Sequence, residues 1–196
     1  MDKRYQLILI FLFGTLLRAG YLITPGINSD QAIFALQGIH ILKGEFTVFQ
    51  WAYAYMGTIQ SNLDAFAFYF FDPSRLVINV IPVIISVFFI LVTYLIGKEL
   101  LGKEGGVLSA MFAAIAPAYL SIYGGVARYG YMETLLFGSL LLLITLRLSK
   151  TENQNDRGRL FILLGFISGL GLWTNFLIIV YFPACGLYLL FKDRRL

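Results

Sequence analysis

Asp30 stands just beyond the first apolar run of the chain, and Glu133 stands at the head of a later one. A topology that puts both on one membrane face brings two carboxylates to the same surface, where a carboxylate can take a proton from a nucleophile or hold a cation. Glu133 belongs to the segment Val126-Ala127-Arg128-Tyr129-Gly130-Tyr131-Met132-Glu133. Ionisable groups at that depth are costly unless wetted or paired, so Arg128 and Glu133 are expected to line a polar cavity. A structural pair of Arg128 with Glu133 or with Asp30 is the alternative.

The elements that must position these groups begin at Asn28-Ser29-Asp30-Gln31. The apolar positions Ala32, Ile33, Leu36 and Ile39 follow at spacings of three and four, and Gly44 closes the segment, which is the pattern of a capped amphipathic helix lying on the membrane. Asp30 falls in its first turn, where the positive end of the helix dipole favours an anion. Two roles stay open for it: general base or cation ligand on one side, helix cap on the other. The stretch from Phe49 to Gly57 is rich in Trp and Tyr and suits the headgroup layer. A helix from about residue 58 to residue 71 puts Gln60, Ser61 and Asp64 on one face, with Phe66 and Phe70 elsewhere, before Asp72-Pro73 ends it. Such a surface is either an interfacial anchor or one wall of a groove for an amphiphile.

Composition decides the class that holds these segments. With 59% hydrophobic and 13% charged residues among 196, the chain has too little polar surface to coat a soluble globule. Runs long enough for a hydrocarbon core of about 30 Å lie at residues 7–23, 76–96, 106–123 and 131–146. The block 160–191 is broken near Gly169-Leu170-Gly171 and Trp173-Thr174-Asn175, and reads as two short helices meeting in an outer turn. The expected fold is an all-α polytopic membrane protein of about six spans, a single module over residues 1–196. Residues 24–75 form its first outer loop, with interfacial helices.

Basic residues set the orientation. A cytoplasmic N-terminus places Lys3, Arg4, Lys98, Lys103, Arg147, Lys150, Arg157, Arg159, Lys192, Arg194 and Arg195 inside, and only Arg18, Lys43, Arg75 and Arg128 outside. The net charge of +4 thus follows from topology, which leaves nothing for a nucleic-acid partner. The first apolar run lacks an Ala-x-Ala-like cleavage site and is expected to be a retained span. Cys185 is the lone cysteine and His40 the lone histidine, so no zinc site or Ser-His-Asp set is available; His40 is expected to pack or hydrogen-bond at the interface. There is neither an Asp-x-Asp triplet nor a Gly-rich phosphate loop, which disfavours a nucleotide-sugar enzyme.

An ordered series of short matches carries a resemblance over roughly residues 10–180. It comprises Leu17-Arg18-Ala19-Gly20-Tyr21, Ser29-Asp30-Gln31-Ala32, Leu42-Lys43-Gly44, Tyr55-Met56-Gly57-Thr58, Asp72-Pro73-Ser74-Arg75-Leu76, Gly97-Lys98-Glu99-Leu100-Leu101-Gly102, and Ala127-Arg128-Tyr129-Gly130-Tyr131-Met132-Glu133-Thr134-Leu135. The series resembles the N-terminal half of GT-C glycosyltransferases, and is similar to relatives of the protein mannosyltransferases and aminoarabinose transferases. The resemblance implies an inverting enzyme of hexosyltransferase type on the outer face of the cell membrane. Its donor is a polyprenyl-phosphate sugar, its acceptor a protein, lipid or glycan, and no cofactor is required. It puts the catalytic acid of the first loop on Asp30 and a second acidic position on Glu133, for which positioning the acceptor, tuning Asp30 and holding a divalent cation all stay open. Arg128 is the phosphate ligand, with Tyr129, Tyr131, Tyr55 and Arg18 as further substrate-binding candidates. Many members carry Asp-Glu where this chain has Asp30-Gln31, and members usually continue through more spans, so the chain is expected to be part of a longer enzyme. The rival expectation is a non-catalytic transporter half or lipid-binding scaffold, whose ionisable groups should lie nearer mid-membrane.

Overall fold

A computed structural model of the chain describes residues 3–23 and 26–192. Helix α1 covers Lys3–Ala19 and runs into a 3-10 turn, Gly20–Ile23. The outer loop holds α2 (Ser29–Leu42), a small hairpin of β1 (Phe49–Gln50) and β2 (Tyr53–Gly57), and α3 (Ile59–Phe70). The membrane part continues with α4 (Arg75–Ala114), α5 (Ala118–Tyr123), α6 (Tyr131–Lys150), α7 (Gln154–Thr174), a 3-10 segment (Phe176–Val180) and α8 (Tyr181–Lys192). Arg194 and Arg195, used to orient the chain, lie outside the described residues.

By length and apolar composition three helices can cross a membrane: Tyr5–Leu22, Arg75–Ala114 and Tyr131–Lys150. The stretch Phe176–Lys192 is a shorter apolar helix. That measure does not reach the expected six: two of the expected runs lie in α4, which holds 40 residues, and neither α7 nor the shorter Phe176–Lys192 is counted. At Gly102 the backbone has φ 75 and ψ −170, a conformation that only glycine adopts readily, and the chain reverses there. Its two arms then pack antiparallel through small residues. A Cβ on Gly106 would come within 2.8 Å of the Tyr94 ring, and one on Gly97 within 2.7 Å of the Gly105 carbonyl oxygen. The second arm stops at Ala114, earlier than expected, and only the short α5 follows.

Helix α1 closes on this hairpin. Gly14 faces Ile90 and Ala114, and Ile90, Ala110, Ala113 and Ala114 form a buried cluster. Arg18, fully buried, donates to the carbonyls of Gly14 (3.0 Å), Ala114 (3.0 Å) and Ala113 (2.8 Å). The last two are end-of-helix carbonyls, which lack intrahelical donors, so Arg18 caps the second arm of α4. The last apolar block divides at Asn175, as its sequence breaks suggest, and packs on α6 around Leu141, Ile144, Ile167, Ile178 and Cys185.

The outer loop is held by polar contacts. Gln37 is fully buried; its Nε2 donates to Thr47 Oγ1 (2.5 Å) and the Phe49 carbonyl (3.0 Å). Its Oε1 accepts from Gln50 Nε2, the Trp51 amide (3.0 Å) and Ser61 Oγ (3.3 Å). One side chain thereby ties α2 to the hairpin and to α3. The face that α2 buries is Asp30, Gln31, Phe34, Gln37, Gly38 and Ile41, whereas Leu36 is 52% exposed. The buried face joins Phe34 and Ile41 to three polar residues, and Leu36, in the apolar stripe, is left outward. The hairpin is a small departure from an all-α fold. His40 meets Glu45 Oε2 at 2.7 Å and sets its ring against Trp51, as expected of an interfacial histidine.

Replacing Gln37 with Leu leaves the Trp51 amide and the Gln50 Nε2 group without an acceptor, at about 1–3 kcal/mol for each buried group. Gln37→Leu should therefore raise amide hydrogen exchange across residues 44–58 and leave the arms of α4 protected. Unchanged exchange in the hairpin would refute this account of the loop.

Candidate functional site

The first turn of α2 presents Asp30 because a neighbour does the capping. Asn28 Oδ1 accepts the Gln31 amide at 2.9 Å, and Gln31 Oε1 accepts the Asn28 amide at 3.1 Å, a reciprocal capping box. Gln31 Nε2 also reaches Asn79 Oδ1 on α4, which anchors the start of the helix. Of the two roles open for Asp30, the cap therefore falls to Asn28. Asp30 is 5% exposed and faces two other groups. Tyr53 donates its hydroxyl to Oδ1 at 2.6 Å, and Arg128 Nε lies 3.7 Å from Oδ2. The hydrogen bond to Asp30, followed by burial, raises the Tyr53 phenol above its ordinary value of 10, so it stays a proton donor across neutral pH.

Arg128 sits in the turn between α5 and α6, and of the two pairs open to it, the structure makes the one with Asp30. The 3.7 Å separation is an ion pair too long for a hydrogen bond, and Arg128 Nε has no hydrogen-bond acceptor. Its side chain is 40% exposed, and tyrosines surround it. The guanidinium carbon is 6.0 Å from the ring centres of both Tyr123 and Tyr129. Tyr129 in turn meets Tyr53 (5.3 Å) and Tyr131 (5.4 Å), Tyr131 meets Tyr123 (5.1 Å), and Tyr55 joins through Tyr53 (6.2 Å). Asp30, Arg128, Tyr129, Tyr131 and Tyr55 are thus brought together. Arg18 is not among them, since its guanidinium is spent on helix carbonyls.

Glu133 is 4% exposed in the first turn of α6 and makes no pair with Arg128. Its charge acts on Asp64, which is fully buried on α3 and takes a 2.9 Å hydrogen bond from Gln60 Nε2 on Oδ1. Asp64 Oδ2 and Gln60 Oε1 have no partner. Gln60, Ser61 and Asp64 share one face as their spacing implies, but the approach of Glu133 could not be read from sequence. Among the described residues no group of three or more His, Cys, Asp or Glu is placed to hold a metal.

Two apolar cavities flank the site. One, of about 460 Å³, lies in the angle between α3 and α4, lined by Phe66, Phe70, Val77 and Ile81. The other, of about 470 Å³, is lined by Tyr119, Tyr123, Tyr131, Leu135, Leu177 and Val180. Tyr123 and Tyr131 belong both to this cavity and to the ring of tyrosines around Arg128.

Burial, then the hydrogen bond from Gln60 in the opposite sense, then the charge of Glu133 leave the Asp64 carboxyl well above its ordinary value of 3.8. A raised folded-state value means that the neutral form is favoured in the fold. The associated stability is complete at pH below about 4 and is lost as pH rises toward the folded-state value. Asp64→Asn, neutral at every pH, should therefore match the parent at acid pH and unfold at a higher temperature at pH 7. A parent and variant with parallel melting curves from pH 4 to pH 8 would contradict this.

Residues 62–196 match the dolichyl-phosphate-mannose-protein mannosyltransferase family. No curated protein and no solved structure matches the chain. The matched part begins inside α3 and takes in Asp64, Arg128 and Glu133, whereas Asp30, Tyr53 and Tyr55 precede it. Its apolar helices agree with a membrane location, and the match extends over well more than half of the residues. The chain belongs to the dolichyl-phosphate-mannose-protein mannosyltransferase family, a family of glycosyltransferases.

Proposed function

We propose that this chain transfers a glycosyl unit from a polyprenyl-phosphate sugar to a hydroxyl or amine of a protein, lipid or glycan at the outer face of the cell membrane. The observation that carries the reading is the placement of Asp30 beside Arg128, with Oδ2 3.7 Å from Nε. A carboxylate able to take a proton and a cation able to hold a phosphate are what this reaction needs. The phosphate leaving group is already anionic, so no general acid is required.

Asp30 Oδ2 takes the acceptor proton while the acceptor atom bonds to the anomeric carbon. The bond from that carbon to the phosphate oxygen breaks on the opposite side, which inverts the configuration. The electron pair leaves with the polyprenyl phosphate, and the proton ends on Asp30. Tyr53 holds Oδ1 and so turns Oδ2 toward the reaction. Arg128, whose side chain is 40% exposed, has an open face to offer the phosphate. The cavity that shares Tyr123 and Tyr131 with this site gives the hydrocarbon chain of the donor an apolar bed. Glu133, beside Asp64, positions the acceptor from the inner side.

The basic-residue bias supports the orientation. Lys98, Lys103, Arg147 and Lys150 lie at the opposite end, where Glu99 joins α4 to α6 through Arg147 (3.3 Å) and Lys150 (3.1 Å). With 20 residues at about 1.5 Å each, α6 separates the two ends by about 30 Å, the thickness of a hydrocarbon core. Six crossings follow when the two arms of α4 count separately and α7 and α8 form the final pair. Single cysteines at Asn28 and Asn155 test this topology: an impermeant reagent applied outside should label position 28 only.

Asp30→Asn removes the proton acceptor and keeps the shape, so transfer from a polyprenyl-phosphate sugar should fall by about 100-fold or more with donor binding little changed. Arg128→Ala should weaken donor retention more than turnover at saturation. Near-normal turnover by Asp30→Asn would remove Asp30 from the chemistry, and wild-type donor retention by Arg128→Ala would remove the phosphate from Arg128.

A further inference from the structure

The turn that presents Arg128 has an unusual backbone. Tyr129 and Gly130 are consecutive left-handed residues, with φ of 51 and 63. Glycine adopts this readily, whereas a tyrosine does so only when its surroundings hold it there. Within the turn the Tyr131 amide donates to the Arg128 carbonyl at 3.1 Å. The constraint from outside comes from Asn175, which is 3% exposed at the break between α7 and the following 3-10 segment. Its Nδ2 donates to the Tyr129 carbonyl at 2.9 Å. Its Oδ1 accepts the Leu177 amide at 3.0 Å and so caps that 3-10 segment. The segment contributes Leu177 and Val180 to the cavity that also contains Tyr123 and Tyr131.

We infer that Asn175 is a positioning residue: its amide locks the Arg128 turn to the wall of the neighbouring apolar cavity, so that a phosphorylated lipid is gripped at its headgroup and its chain as one unit. The side chain suits both tasks because an amide carries a donor and an acceptor on one short stem. Aspartate keeps the acceptor for Leu177 and loses the donor to Tyr129. Serine can cap Leu177 but is too short to reach the Tyr129 carbonyl. The lock is a property of the fold; its effect on a lipid rests on the donor reading proposed above.

The two parts separate in one set of measurements on the full chain in lipid nanodiscs. Asn175→Asp should raise amide hydrogen exchange across residues 126–134 and leave residues 177–185 protected, whereas Asn175→Ala should expose both. With a polyprenyl-phosphate sugar, Asn175→Asp should raise donor KM by about tenfold, the scale of one hydrogen bond, with kcat within about twofold. Asn175→Ser, which adds no charge, should repeat both results and serves if the aspartate variant does not fold. Wild-type exchange across residues 126–134 in these variants overturns the lock. Raised exchange with an unchanged donor KM, while Arg128→Ala still weakens donor retention, overturns its role in gripping the lipid. Loss of retention in neither the Arg128 nor the Asn175 variants sinks the donor reading and the gripping role with it, and the exchange data alone then decide the lock.

Discussion

Gln37 shows the constraint on which the outer half of this protein depends. The segment between α1 and α4 is short, yet it must hold Asp30 and Tyr53 in a fixed relation. A buried glutamine meets that demand because it can give two hydrogen bonds and accept several, and here it serves Thr47, Phe49, Gln50, Trp51 and Ser61 at once. Directional bonds add to the apolar cluster of Phe34, Phe68, Ile78 and Ala127. The hairpin held in this way carries Tyr53, whose hydroxyl fixes one oxygen of Asp30 and leaves the other toward Arg128.

The membrane half solves the opposite problem, with ample apolar surface and backbone ends that water cannot reach. The second arm of α4 ends inside the fold, and Arg18 donates to its last carbonyls across the contact with α1. The close packing of Gly14 on Ala114 makes this reach possible. A basic residue is thereby used for architecture, and its place sets where the chain emerges toward α5 and the Arg128 turn. Gly124 lies directly against Arg18, which carries the same constraint one element further.

The acidic residues fall into two environments. Asp30 has a hydroxyl donor, a cation and an accessible neighbour, so its charge is compensated and close to the surface. Asp64 and Glu133 are nearly dry, the charge of Glu133 acts on Asp64, and Asp64 Oδ2 has no donor. A charge is cheap in the first setting and costly in the second. The division sets Asp30, which meets a hydroxyl and a cation, apart from the dry inner carboxyls.

Much of this was legible in the sequence because its signals are local. Apolar runs and the sparse charge specify a membrane protein, and Asn28 to Gln31 specify a helix start with Asp30 in its first turn. The spacing of Gln60, Ser61 and Asp64 specifies a shared face, and the ordered motifs point to the glycosyltransferase family that the match to residues 62–196 establishes. What tertiary structure alone decided involves partners far apart in the chain. Gln37 and Gln31 turned inward on α2 beside Phe34 and Ile41 because they found acceptors and donors on other elements, which no periodicity of apolar residues can register. Arg128 met Asp30 and not Glu133, Arg18 went to the carbonyls of α4, and Asn175 took hold of Tyr129, because each is a contact created by packing. A sequence states which groups need a partner; only the arrangement of helices determines which partner comes within reach.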